Sequence, residues 1–297
     1  VNVGCLVLAA GLGTRLLPLT ERTPKPLLWV FDRPQIEHVL AHLARSGFTR
    51  CVVNTFHLAE QFDEEFLRRQ PLAVALSREP ALLGTGGALV HAAALLGSGP
   101  VLVWNADMRG APDLEPLLAT LVGGDVTGAM LVGPSRPAGE GTIGLDEAGS
   151  VVRVRAHRGR AREVRGADFL GVGVWSPRLL ARLRAPGCLI DDGLIPSLVL
   201  GERVLACSAS APLVDIGSPA ELLRTNLAAL EERRLERWVD PSVQVPPDAS
   251  LEGVVVARGA TIAAGARASE SLVLPGAHLA GHVQSAIVHP GGTIAVG

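Results

Sequence analysis

Along its first third the chain alternates continuous apolar runs with amphipathic ones. Residues 3–10 are almost wholly apolar, the pattern of a parallel strand buried on both faces. Residues 34–45 place Ile36, Val39, Leu40 and Leu43 on one helical face, with Gly47 as a stop. The same reading predicts strands over 51–55, 72–76, 101–104 and 126–132, and helices over 58–69, 84–96 and 114–121. Strands alternating with helices predict an α/β fold with a mostly parallel sheet covered on both faces. Further on, 151–154, 169–175 and 204–207 read as strands, 177–183 as a helix, and 219–237 as a long Leu/Ala/Glu/Arg helix.

After residue 240 the pattern changes. Apolar positions recur six apart, at Val245 and Leu251, at Val256, Ile262, Ala268 and Leu274, and at Val288 and Ile294. Pro/Gly/Ala turns separate them. This is the signature of a hexapeptide β-helix, whose rungs cannot bury their own faces and must stack. The alternative is a Gly/Ala-rich disordered tail, which the apolar spacing disfavours. The expected division is a catalytic domain over 1–238 and a hexapeptide-repeat domain over 239–297.

Composition narrows the class. The 297 residues are 48% hydrophobic and 19% charged, enough for a sizeable core and against disorder. The net charge of -2 gives no electrostatic case for a nucleic-acid partner. No apolar run reaches the roughly 18 residues of a membrane span, and residues 3–10 lack the basic flank of a signal peptide. Cys5, Cys51, Cys188 and Cys207 show no CxxC spacing, so reduced cytoplasmic thiols are expected rather than disulfides or zinc. Lysine occurs once, at Lys25, against 26 arginines. Arginine evidently serves wherever a generic positive charge is wanted, which makes the single lysine informative.

Lys25 lies in the segment Leu8-Ala9-Ala10-Gly11-Leu12-Gly13-Thr14-Arg15-Leu16-Leu17-Pro18-Leu19-Thr20, continued by Thr23-Pro24-Lys25-Pro26-Leu27-Leu28. A buried strand ends at Ala10. Two glycines then permit a tight turn whose N–H groups can face an anion. Arg15 brings several donors suited to phosphate oxygens. Two prolines stiffen the backbone around Lys25. A dinucleotide GxGxxG would need glycine where Leu16 stands, and GxxxxGK[ST] is absent.

The string resembles the signature of the sugar-1-phosphate nucleotidyltransferases, the family that includes the mannose-1-phosphate guanylyltransferases. The resemblance covers roughly residues 1–230 and implies a Rossmann-like nucleotidyltransferase domain. The tail resembles the short left-handed parallel β-helix that many of these enzymes carry. It implies that Leu8, Ala10, Gly11, Gly13, Thr14 and Arg15 bind the nucleotide. Asn105-Ala106-Asp107 is similar to the family's metal-binding aspartate motif. Asp215-Ile216-Gly217-Ser218-Pro219 is similar to its second metal motif, although Leu213 stands where a tryptophan is frequent. Asp107 and Asp215 are therefore the expected Mg²⁺ ligands, with a cap or turn as the alternative for Asp107. The segment from Glu79 to Ala88 resembles the one that holds the base. There Gly84 would let the ring approach and Glu79 would accept hydrogen bonds, which favours guanine over uracil; the alternative for Glu79 is a solvated turn. Gly141, Leu170 and Gly171 match segments that line the sugar. The family's Glu-Lys-Pro motif is missing, its positions being Ala156, His157 and Arg158. The arginines from Arg153 to Arg165 either replace its cation or form a solvated basic hairpin, and the hairpin is preferred.

The resemblance implies transfer of a nucleotidyl group from an NTP to a sugar 1-phosphate, with GTP and mannose 1-phosphate favoured. The nucleophile is already an anion, so positioning and charge neutralisation carry the reaction. Arg15, Lys25, Asp107 and Asp215 are the expected catalytic residues. Three alternatives stand: a uridylyltransferase for glucose, N-acetylglucosamine or N-acetylmuramate 1-phosphate; a regulatory homologue that binds nucleotide sugar without turnover; and an acyltransferase using the β-helix, which three coils and turn histidines support poorly. The open faces of the coils suggest a homo-oligomer.

Overall fold

The computed structural model describes residues 3–122 and 125–296. It divides into two compact units, each drawn from separate stretches of chain. The first takes the chain up to Gly11 and then Val39–Val214; the second takes Leu12–His38 and the chain from Asp215 onward. This differs from a division at 238/239. Residues 12–38 and 215–238 group with the C-terminal strands because they share a hydrophobic core with them.

The first unit is built on a seven-stranded sheet: β1 (Gly4–Leu8), β2 (Arg50–Thr55), β3 (Ala73–Arg78), β4 (Val101–Asn105), β5 (Gly128–Val132), β6 (Phe169–Trp175) and β7 (Val204–Ser208). Their spatial order is β7-β5-β6-β4-β1-β2-β3. All pairings are parallel except those of β6, which runs antiparallel to β4 and β5. The mostly parallel sheet expected from the apolar runs is present. Leu6, Val7, Val52, Val53, Leu102 and Trp104 are buried in it, as strands covered on both faces require. A second, antiparallel sheet orders His157–Arg158, Val151–Val154, Ile143–Leu145 and Arg165–Ala167.

Several elements differ from expectation. The helix over 58–69 is instead a single turn at Ala59–Gln61 and a short helix Glu64–Arg68, started by Asp63, whose carboxylate accepts from the Phe66 N–H. Residues 84–96 form Gly84–His91 and Ala93–Leu96. The helix from Pro219 stops at Glu232, and Arg237–Val239 is already a strand.

In the second unit Arg237–Val239, Ser250–Val256, Arg267–Val273 and Ala286–His289 lie side by side in that order, parallel throughout. Ser250 stands opposite Arg267, and in a smaller parallel pair Thr261 stands opposite His278. Gly292–Ala295 closes this sheet antiparallel to Ala286–His289. Successive side chains point to opposite faces of a strand. Accordingly Val254, Val256, Val273 and Val288 fill one core, while Val255, Leu272 and Ile287 face another. That second core is completed by Leu222, Leu223 and Leu230 of the helix Pro219–Glu232, and by Leu16, Leu19, Leu28, Trp29 and Val30. One apolar face of these strands is thus covered within the unit. Asn226 pins the join: its amide oxygen accepts from the Phe31 N–H at 2.7 Å and its NH₂ donates to the Trp29 carbonyl at 3.3 Å. The four cysteines are free thiols. Among the described residues no helix is long and apolar enough to cross a membrane.

Candidate active site

In the second unit, the glycine-rich segment is shaped by Gly13. Its φ is 65°, and a Cβ there would lie 2.8 Å from Thr20 Cγ2 and 3.0 Å from Lys25 Cβ, so only glycine fits. The Thr20 hydroxyl donates to the Gly13 carbonyl at 3.0 Å. Thr14–Leu16 and Lys25–Leu27 are each one turn of 3-10 helix. Leu16 and Leu19 anchor the segment in the core below, each worth about 1.5–3 kcal/mol of burial. Arg15 and Lys25 are thereby held at fixed points.

Both cations meet Asp215. Lys25 Nζ lies 3.5 Å from Oδ1, and an Arg15 terminal nitrogen lies 3.5 Å from Oδ2. The Lys25 side chain is 11% exposed and that of Arg15 69%. Arg15 rests on Gly217, where a Cβ would come within 2.8 Å of the guanidinium. The start of the helix Pro219–Glu232 fixes Asp215 in turn. Ser218 Oγ accepts from the Glu221 N–H at 3.3 Å, and Glu221 Oε2 accepts from the Gly217 N–H at 3.0 Å, a capping box with Pro219 at the first helical position.

Asp215 Oδ1 is closed to solvent and accepts no hydrogen bond. Contacts of 3.5 Å are long for charge-assisted hydrogen bonds, which run near 2.7–2.9 Å. A hard carboxylate oxygen with spare acceptor capacity fits Mg²⁺, which needs only one or two carboxylates alongside phosphate oxygens. Among the described residues no three or more His, Cys, Asp or Glu side chains cluster as an all-protein cage, and this arrangement does not require one.

In the first unit Leu8, Glu79 and Asp107 lie at or just beyond the carboxyl ends of parallel strands, where such sheets place their sites. Leu8 ends β1, and its carbonyl accepts from the Ala106 N–H at 3.0 Å. Ala10 is buried. Gly11 is exposed, and a Cβ there would meet nothing within 4 Å. No contact of the fold requires glycine at 11. Asp107 is half-buried just beyond β4.

In the base segment one expected alternative needs correction. Glu79 is not a solvated turn residue: it is buried, and its carboxylate accepts from Asn54 Nδ2 at 2.8 Å and from the Leu83 N–H at 3.1 Å. Asn54 Oδ1 in turn accepts from the Ala9 N–H at 2.7 Å. Glu79 therefore ties the ends of β1, β2 and β3 together. At Gly84 the Gly187 carbonyl stands on the Cβ side, where a side chain would overlap it. The same carbonyl accepts from the Gly86 and Gly87 N–H groups at 3.0 and 3.2 Å.

On the sugar side, Gly141 has φ 70° and Gly171 has φ 69°. The register of β6 against β5 shifts between Phe169 and Gly173, which sets half-buried Leu170 and Gly171 in a bulge. A Cβ on Gly171 would lie 2.7 Å from Asn105 Nδ2, so Gly171 sits directly beside the strand end that leads to Asp107. His157 and Arg158, at the missing motif, are exposed.

The arginine cluster is not uniformly a solvated hairpin. Arg155 pairs with Asp191 at 3.0 Å near the surface, but Arg153 is 5% exposed and pairs with Glu163, also 5% exposed, at 2.9 Å. The Arg153 hydrogen bonds hold the Glu163 carboxyl below the usual carboxylate range. Sequence reasoning missed Asn54, Arg153 and Glu163. The readable signal for Asn54 was a polar residue at the end of the apolar run Cys51-Val52-Val53.

Comparison with known proteins bears on the whole arrangement. The chain is 28% identical over 294 residues to a mannose-1-phosphate guanylyltransferase of Mycobacterium tuberculosis, covering 93% of this chain and 80% of that one. It is 33% identical over 188 residues to an N-acetylmuramate alpha-1-phosphate uridylyltransferase of Neisseria meningitidis serogroup B, covering 61% of this chain and 78% of that one. The crystal structure of HddC from Yersinia pseudotuberculosis complexed with GMP-PN shares the fold, with a TM-score of 0.62 at 20% identity over 76% of this chain and 99% of that one. The family model described as nucleotidyl transferase matches residues 5–155, just over half of the sequence, and the chain belongs to that family.

Proposed function

We propose that this chain transfers a nucleotidyl group from an NTP to a sugar 1-phosphate, with GTP and mannose 1-phosphate as the preferred pair. The observation that carries the reading is the convergence of Arg15 and Lys25 on Asp215, whose Oδ1 accepts no hydrogen bond. A phosphate oxygen of the sugar 1-phosphate attacks the α-phosphorus of the NTP, and pyrophosphate leaves. The obstacle is repulsion between two polyanions, so fixed positive charge lowers the barrier. Lys25, mostly enclosed, neutralises the α-phosphate and the incoming phosphate. Arg15, exposed, holds the β- and γ-phosphates of the leaving pyrophosphate. The free N–H groups from Gly11 to Thr14 cradle the triphosphate. Asp107 and Asp215 would hold Mg²⁺, which supplies further charge neutralisation on phosphate oxygens when bound.

Glu79 already accepts one hydrogen bond on each oxygen, from Asn54 and Leu83, and its part in choosing guanine rests on the remaining lone pairs. The preference for GTP with mannose 1-phosphate is supported by the guanylyltransferase likeness over 93% of this chain. UTP is the second reading, favoured by the 33% identity to the uridylyltransferase. We read the parallel C-terminal strands as a short left-handed β-helix. The reading is supported by their constant parallel register and by the six-residue apolar spacing.

Pyrophosphate release with four NTPs against mannose, glucose, N-acetylglucosamine and N-acetylmuramate 1-phosphates is the test. Fastest release with GTP and mannose 1-phosphate is expected. Fastest release with UTP moves the chain to the second reading, and no release with any pair makes it a non-catalytic homologue.

A further inference from the structure

We propose that the buried Arg153–Glu163 pair is a positioning device for the sugar 1-phosphate, setting the backbone of residues 139–143 so that Gly141 and Thr142 present the wall the sugar meets. The inference rests on the reading of Gly141, Leu170 and Gly171 as sugar-lining residues.

Every N–H of the Arg153 guanidinium is used. Nε and one terminal nitrogen donate to the two Glu163 oxygens at 2.9 and 3.0 Å. The remaining bonds go to backbone carbonyls: Glu140 at 2.7 Å, Gly141 at 3.1 Å, and Ile143 and Arg155 at 3.2 Å. Glu163 Oε1 also accepts from the Gly139 N–H at 2.7 Å. A single ion pair therefore grips residues 139, 140, 141 and 143. Gly144 makes room for it, since a Cβ there would overlap the Glu163 carboxylate.

The grip is passed on. Between the held carbonyls of Gly141 and Ile143, the Thr142 N–H donates to Asp168 Oδ1 at 3.0 Å, and its hydroxyl oxygen accepts from the Phe169 N–H at 2.9 Å. Phe169 leads directly into Leu170 and Gly171. The pair thus connects both sugar-lining segments without itself reaching the substrate, and Arg153 is a positioning residue. A planar fork of five donors can serve diverging carbonyls in this way; the three donors of a lysine cannot.

Steady-state kinetics on wild type, Arg153→Lys and Glu163→Gln is the experiment, with each substrate varied in turn and a thermal melt on each protein. The wild-type assay comes first: if it releases no pyrophosphate, the functional reading fails and the inference falls with it. Given wild-type turnover, KM for the sugar 1-phosphate is expected to rise roughly tenfold or more in both variants while KM for the NTP stays within about twofold. Glu163→Gln keeps the shape and one accepting oxygen, and leaves Arg153 in place on its backbone carbonyls, so it reports even if Arg153→Lys does not fold. A lower melting temperature with both KM values unchanged, or with both raised together, overturns the proposal and leaves the pair a purely structural element.

Discussion

Arg15 stands 3.5 Å from Asp215 with 69% of its side chain exposed, whereas Arg153 lies 2.9 Å from Glu163 with 5% exposed. Both are arginines beside a carboxylate. At Asp215 two cations share one carboxylate, the contacts are long, and Oδ1 accepts no hydrogen bond. At Glu163 every donor and acceptor is committed to backbone or partner. The difference teaches how to tell a centre that binds from one that braces. Charge with unspent hydrogen-bonding capacity can still receive a ligand. Charge whose hydrogen bonds are all met has repaid its own desolvation and has nothing left to offer.

The contrast breaks most visibly if the two centres are removed in turn. Arg153→Met leaves the enclosed Glu163 carboxylate only the exposed Arg158 at 3.4 Å and the Gly139 N–H, and should cost about 3 kcal/mol of stability in urea unfolding. Arg15→Ala, at an exposed pair, should cost no more than about 1 kcal/mol. Equal losses would erase the distinction. Lys25→Ala should lower kcat by about 10²–10³, the effect of deleting one donor aimed at developing charge; near-normal pyrophosphate release from a folded Lys25→Ala protein would remove Lys25 from the chemistry.

A finer comparison lies within the loop. Gly13→Ala meets both a left-handed backbone and Thr20 at 2.8 Å, so about 1–3 kcal/mol of stability should go. Gly11→Ala meets no atom and should leave the melting temperature unchanged while raising KM for the NTP. The reverse order would mean that Gly11, not Gly13, is the structural glycine.

The smallest expected effect is on acid stability. The Arg153 hydrogen bonds lower the Glu163 pKa in the folded protein. A carboxyl lowered in this way stabilises the fold fully above its unfolded value, about 4.3, and that contribution is lost as pH falls through the folded value. Urea unfolding between pH 3 and 7 should therefore show Glu163→Gln less sensitive to acid than wild type. Parallel acid limbs would exclude Glu163 from the linkage.

The loop that carries Arg15 and Lys25 was legible in the sequence because it is local. Gly13, Arg15 and Lys25 sit within one loop, and the strand before it is an apolar run that can only be buried. The bracing centre was not legible. Arg153 and Glu163 are joined across a hairpin, and in the sequence a buried arginine among six looks the same as a solvated one. The signal that was present, Val151, Val152 and Val154 around Arg153, placed it in a strand without saying which face it used. Ile143–Leu145 and Arg165–Ala167 escaped because three residues carry no period. That the Gly187 carbonyl, about a hundred residues on, stands on the Cβ side of Gly84 was not legible either; spacing alone does not reveal which distant backbone will arrive.

Leu16, Leu19 and Leu28 share their core with Leu272 and Ile287. A ribosome makes the glycine-rich loop well before it makes the strands that support it. Until those strands have been translated the loop has no apolar surface to lie on, and the ordering of Arg15 and Lys25 must wait. Closing so long a loop slows assembly far more than it weakens the finished product, since its entropy grows only with the logarithm of length. The loop that carries Arg15 and Lys25 is therefore ordered only after Leu272 and Ile287 have been made, and a chain cut before those strands lacks the apolar surface on which the loop lies.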